Sequence, residues 1–113
     1  MKIKRTNLGE FEELVLLVVG VLDNNAYGIS IMEEIEKQAR RKLSISAVHS
    51  VLTRLEKKGY LNSWMGGETN ERGGRRKRFF KLTGTGKDAL NDIREMRNKL
   101  WNIMPNLSLE SIS

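Results

Sequence analysis

Three successive stretches of helical apolar spacing, then two short β-type segments around a glycine-rich basic stretch, then one more helical pattern: this order restricts the chain to few folds. From Gly9 to Leu22 the apolar residues Phe11, Leu14, Val15, Val18 and Leu22 recur at helical spacing. Leu17, Val19 and Val21 extend that surface around the other sides, so this helix is expected to be buried nearly all round. Asp23-Asn24-Asn25 supplies turn residues, and Gly28 interrupts before a second helix from about Ser30 to Arg40. Ile31, Met32, Ile35 and Ala39 form its inner face, against Glu33, Glu34, Glu36, Lys37, Gln38 and Arg40 outside. Leu43 to Lys58 carries the third pattern, with Ser44 or Ser46 as N-cap and Gly59 placed to end it.

Tyr60–Met65 and Arg78–Leu82 are rich in strand-forming residues and flank the charged, glycine-rich stretch 66–77, which reads as a hairpin with a long tip. Thr83 is suited to cap a last helix running to about Met104, ahead of Pro105. The fold class is therefore mainly α with a small β-hairpin, in the helix, helix, helix, strand, strand, helix order of a winged helix-turn-helix. The expected division is a winged domain over 8–83, a C-terminal dimerisation helix over 84–105 and a tail over 106–113.

A chain of 113 residues has length for one domain. Its 20 Lys and Arg against 14 Asp and Glu give a net charge of +6, which favours a polyanionic partner. The absence of cysteine removes disulfides, thiolate metal sites and cysteine nucleophiles, and fits a reducing, cytoplasmic setting. The apolar run Leu14–Leu22 resembles the core of a signal peptide, but Glu10, Glu12 and Glu13 precede it and no small-residue cleavage site follows. The run is also too short to span a bilayer. No enzyme is expected, and no cofactor or metal: His49 is the single histidine, and there is no G-x-S-x-G. Gly86-Lys87 imitates the end of a phosphate-binding loop, but Asp88 replaces the needed hydroxyl residue and Lys81 the first glycine.

Placed at 100° per residue, Val48, Val51, Leu52 and Leu55 share one face of the third helix. Ser46, His49, Ser50, Thr53, Arg54 and Lys57 spread across the opposite one, with Glu56 as the one acid, at its margin. Ser, Thr and His can meet base edges, while Arg and Lys suit phosphates. The hairpin adds Arg72, Gly73, Gly74, Arg75, Arg76 and Lys77, so cations sit on a loop whose glycines allow close approach to a backbone. Both groups read as a surface for double-stranded DNA. Tyr27, at the start of the second helix, has two options open, a hydroxyl contact to phosphate or packing of its ring in the core. Trp64 reads as a packing residue, since no aromatic ladder accompanies it in the sequence.

The last helix has a wide apolar stripe containing Leu90, Ile93, Met96, Leu100, Trp101 and Met104, too broad for a small trihelical core to cover. A second copy of the chain is the expected cover, meeting Phe11 and Leu14 of the first helix as well. Arg97 falls inside the stripe, with no partner evident from the sequence.

The segments Leu8-Gly9-Glu10-Phe11-Glu12-Glu13-Leu14, Ala26-Tyr27-Gly28, Leu52-Thr53-Arg54-Leu55-Glu56-Lys57-Lys58-Gly59 and Glu71-Arg72-Gly73-Gly74-Arg75-Arg76-Lys77-Arg78-Phe79-Phe80-Lys81-Leu82-Thr83 together resemble the PadR family of transcriptional regulators. The resemblance implies a winged helix-turn-helix whose last helix exchanges contacts with a partner subunit, in a homodimer that usually represses by occupying a palindromic operator. Relatives often carry a tyrosine after the Ala-Val of the recognition helix, where this chain has His49. The short tail resembles the compact branch of the family. Some of its members bind flat hydrophobic compounds at the dimer interface, which makes Trp101 the candidate ligand contact. The rival reading is a winged-helix module for protein or ligand interaction without specific DNA binding.

Overall fold

The computed structural model of the protein describes residues 8–66 and 76–105. Its first helix, α1 (Glu10–Leu22), is closed by its own sequence: the N–H of the N-cap residue Gly9 donates to Glu12 Oε1 at 3.0 Å. Glu10, Glu12 and Glu13 occupy the first turn, where the positive end of the helix favours carboxylates. A single 3-10 turn, Asp23–Asn25, leads into α2 (Gly28–Ala39). That helix begins two residues earlier than the spacing predicts, because Ser30 closes its start. The Ser30 Oγ accepts from the Tyr27 N–H at 2.9 Å and donates to the Asn25 carbonyl at 2.6 Å. Gly28 is thus the first helical residue and not a break.

The third helix, α3 (Ile45–Lys57), takes Ser44 as its N-cap, its Oγ accepting from the Ala47 N–H at 3.1 Å. Gly59, at φ +85, turns the chain out of it through a conformation that residues with a Cβ resist. Strands β1 (Leu61–Gly66) and β2 (Lys77–Leu82) then pair antiparallel, with Leu61 opposite Leu82 and Trp64 opposite Phe79. The free edge of β2 is covered as well. Tyr27 makes an isolated bridge to Phe79, and the Phe80 N–H donates to the Ala26 carbonyl at 2.8 Å, so the segment ahead of α2 serves as a minimal third strand.

The core lies where α1, α2, α3 and the base of the hairpin meet, with Leu16, Ile31, Ile35, Leu52, Leu55 and Leu61 among its fully buried side chains. Burial of each such side chain favours the fold by roughly 1.5–3 kcal/mol before the entropy of ordering is set against it. The expectation that α1 is buried all round is corrected: Leu17 and Val21 are exposed, because α2 and α3 cover only part of its circumference. The last helix, α4 (Gly84–Ile103), starts at Thr83, whose Oγ1 accepts from the Gly86 N–H at 3.0 Å. Among its described residues only Gly86 and Ala89, both in the first two turns, are buried. Leu90 and Ile93 are half-buried, and beyond them the helix, about 30 Å long in all, projects from the core.

Three helices with a hairpin packed beside the third form a winged helix-turn-helix, extended by the projecting α4. No helix among the described residues is long and apolar enough to cross a membrane.

Candidate nucleic-acid interface

Burial of Val48, Val51, Leu52 and Leu55 fixes which way α3 faces, leaving Ser46, His49, Ser50, Thr53 and Lys57 exposed on its other side. Glu56, the one acid of this helix, is already occupied. Its carboxylate accepts from the Ser63 hydroxyl at 2.6 Å, and Ser63 Oγ accepts in turn from Arg78 Nη1 at 2.9 Å. This chain ties α3 to both strands of the wing and sets a cation close to the acid, which limits the repulsion Glu56 would exert on a polyanion.

Three elements converge at the start of α2. A methyl group built on Gly28 would lie 2.8 Å from His49 Cε1, so the absent side chain is what lets the imidazole rest on the first turn of α2. The neighbouring Tyr27 ring meets Phe79 of β2 edge-on, with centroids 5.5 Å apart, and Lys77 Nζ stands 4.3 Å above it. The Tyr27 ring therefore packs, half-buried, against the wing.

Trp64 stacks on Phe79 at 5.8 Å, completing a run of three rings. Trp64 thus packs on Phe79, and the three rings become neighbours only after β1 pairs with β2 and the Ala26–Tyr27 segment joins the edge, since they lie far apart in sequence. In the wing itself Arg76 Nη2 donates to the Met65 carbonyl at 3.3 Å, and Arg76, Lys77 and Arg78 are all exposed. Arg72, Gly73, Gly74 and Arg75 lie outside the described residues.

Arg54 is set differently from the rest of its helix face. It lies about 80° around α3 from Ser46, and its Nε donates to Glu12 Oε2 at 3.0 Å while its side chain stays 55% exposed. Lys58, one turn further on, reaches both oxygens of the same carboxylate, at 3.2 and 3.3 Å. Glu12 is only 7% exposed. Burial alone would raise its pKa, but the Gly9 N–H, the Arg54 guanidinium and the Lys58 ammonium outweigh that and hold it below the ordinary carboxylate value. Sequence reasoning did not single out Glu12. The one available signal was the Gly9-to-Glu12 spacing, which is that of a capping box.

About 100° around α1 from Glu12, Glu13 Oε1 accepts from Arg97 Nη2 at 2.9 Å, which gives the cation in the apolar stripe of α4 its partner. Beside this pair a cleft of about 670 Å³ opens between α1 and α4, lined by Leu17, Leu90, Arg94 and Trp101 among others. Met96, Leu100, Trp101 and Met104 are exposed along α4, Trp101 to 69%. Ile93 is half-buried. Phe11, Leu14 and Leu90 instead pack partly against the chain's own core, with the Arg41 guanidinium 5.4 Å above the Phe11 ring. The apolar residues that α1 leaves open are Leu17 and Val21, which the sequence pattern had assigned to the interior.

Comparison with known proteins agrees with this architecture. No curated protein matches the chain in sequence. Among solved structures, a PadR family transcription regulator from Clostridium difficile superposes with a TM-score of 0.63 at 27% identity, covering 80% of this chain and 93% of that one. A PadR-like transcription factor from Bacteroides fragilis gives 0.65 at 22% identity, over 91% and 89% of the two chains. RosR of H. salinarum gives 0.63 at 22% identity, over 94% and 90%. The family profile of the PadR-like transcriptional regulators matches residues 16–92, more than half of the sequence. The chain belongs to the PadR-like family of transcriptional regulators.

Proposed function

We propose that the protein is a sequence-specific, double-stranded DNA-binding repressor, acting in the cytoplasm as a homodimer on a palindromic operator. The carrying observation is the junction at Tyr27 and Gly28, where the exposed row of α3 and the cationic strand β2 meet the same turn of α2. Ser46, His49, Ser50 and Thr53 then present hydrogen-bonding groups to base edges in the major groove, and Lys57 meets an adjoining phosphate. Arg76 and Lys77, with Arg72 and Arg75 beyond them, contact the flanking backbone or minor groove, and Arg54 adds a phosphate contact at the flank of α3.

Residues 8–83 form the DNA-binding part, and α4 within residues 84–105 the dimerisation part. The exposed run Met96, Leu100, Trp101 and Met104, continued on α1 by Leu17 and Val21, is an apolar surface of the kind a second copy covers across a two-fold axis. The cleft between α1 and α4 has the size and the open tryptophan face to hold a small hydrophobic effector, whose binding would change the spacing of the two recognition helices.

A titration on random-sequence duplex, followed by selection of preferred sequences from a random pool, tests this reading. Arg75→Ala with Arg76→Ala flattens the slope of log affinity against log salt by about 0.9 for each phosphate that is no longer neutralised. Ser50→Ala or Thr53→Ala lowers affinity for the selected sequence more than for random duplex. Absence of duplex binding by the wild-type protein would leave only the interaction-module reading.

A further inference from the structure

Apolar packing decides which face of α3 turns inward but holds its fine rotation and its position along its own axis only loosely, since dispersion and burial carry little directionality. Base readout demands more, because hydrogen-bonding groups must be held to within about 0.5 Å. At the start of α3 that definition comes from the Ser44 cap and from the imidazole of His49 seated on Gly28. Towards its end it comes from Glu12. This carboxylate is fixed on α1 by the Gly9 N–H, and its two oxygens take Arg54 and Lys58, cations one turn apart on the same flank of α3. All three hydrogen bonds from these cations are charge-assisted.

We propose that Glu12 is a positioning residue for sequence recognition: by clamping Arg54 and Lys58 it sets the rotation and depth at which the row Ser46, Ser50, Thr53 and Lys57 meets a duplex. The inference rests on the duplex-binding reading above. It has a counter-intuitive consequence, because an acid inside a DNA-binding domain opposes the polyanion by Coulomb's law and its removal should by that effect alone tighten binding to every sequence. The clamp predicts a different pattern, in which discrimination falls even though the protein has become more positive.

The experiment measures affinity for the duplex selected by the wild-type protein and for random duplex, on one preparation of each variant, and takes their ratio. The ratio does not depend on the fraction of protein that is folded, so a purely stabilising role for Glu12 leaves it unmoved. Glu12→Gln is expected to lower it about tenfold, the discrimination carried by roughly one base pair, with random-duplex affinity unchanged or raised. Glu12→Asp keeps the charge but cannot span from Gly9 to both cations, and lowers the ratio by a smaller factor. It also serves if Glu12→Gln fails to fold. Glu10→Gln, an exposed acid of the same first turn that takes no part in the clamp, retains the wild-type ratio.

A wild-type ratio in Glu12→Asp, or equal tightening on both duplexes in Glu12→Gln, would overturn the positioning role, the second result meaning that Glu12 merely withholds Arg54 and Lys58 from phosphates. Failure of the wild-type protein to select any sequence is a separate outcome: it refutes the duplex-binding reading itself.

Discussion

Gly84 and Gly86 stand two residues apart in the first turn of α4, yet alanine at the two positions is expected to act with opposite sign. A Cβ on Gly86 would overlap the Tyr60 carbonyl oxygen and lie 3.2 Å from its carbon, both backbone atoms that no rotamer change can move aside. To relieve the clash, α4 must shift by about 1 Å from the turn between α3 and β1, given ordinary contact distances of 3.5–4.0 Å. That turn is held to α4 by two hydrogen bonds, from the Thr83 N–H to the Tyr60 carbonyl at 3.1 Å and from Thr83 Oγ1 to the Gly59 carbonyl at 2.7 Å. Overpacking of this kind costs about 1–3 kcal/mol, and weakening the two hydrogen bonds adds about 0.5–1.5 kcal/mol each. Gly86→Ala is therefore expected to destabilise the protein by about 2–6 kcal/mol. At Gly84 a Cβ meets nothing within 4 Å, and the gain from restricting the unfolded chain is about 0.4–1 kcal/mol. Chemical denaturation of the two variants and the wild type, at one protein concentration because association shifts the apparent stability, decides the matter. A Gly86→Ala variant within about 0.5 kcal/mol of wild type, by the ordinary scatter of surface changes, would refute the claim that this contact fixes α4 on the recognition-helix turn.

Two further outcomes are open to measurement. The Glu12 carboxyl has a folded-state pKa below its ordinary 4.5, so the stability it confers is complete above about 4.5 and is lost as pH falls through the lower folded value; Glu12→Gln should flatten that acid limb, and an unchanged limb would show that the clamp contributes nothing to the fold. Leu100→Asp alters a side chain already 53% exposed in the single chain, so sedimentation should show a monomer whose helical content matches wild type, whereas a persisting dimer would place the interface elsewhere.

Much of the fold was legible from spacing and punctuation alone. The apolar periods of α2, α3 and α4, the stop at Gly59 and the cap at Thr83 are local properties, set by how side chains repeat around a helix and by which residues close its ends. The outward face of α3 follows the same logic, because burying Val48, Val51, Leu52 and Leu55 leaves its opposite side no choice. Boundaries slipped by one or two residues, most where a cap decided them: Ser30 lets α2 open at Gly28, and Ser44 holds back α3 to Ile45.

What local pattern could not decide was which charges and rings become neighbours. Arg54 reads as one more cation on an open face until α1 brings Glu12 to it across 42 positions, and Arg97 has no visible partner until α4 passes Glu13. The aromatic run Trp64, Phe79 and Tyr27 needs strand pairing to exist, and whether Leu17 or Leu14 faces outward depends on how much of α1 the other helices can cover. Periodicity records how one segment divides itself between water and core. Pairing between distant segments depends on where tertiary packing sets them, and in this protein that packing assembled the clamp on the recognition helix and the junction with its wing.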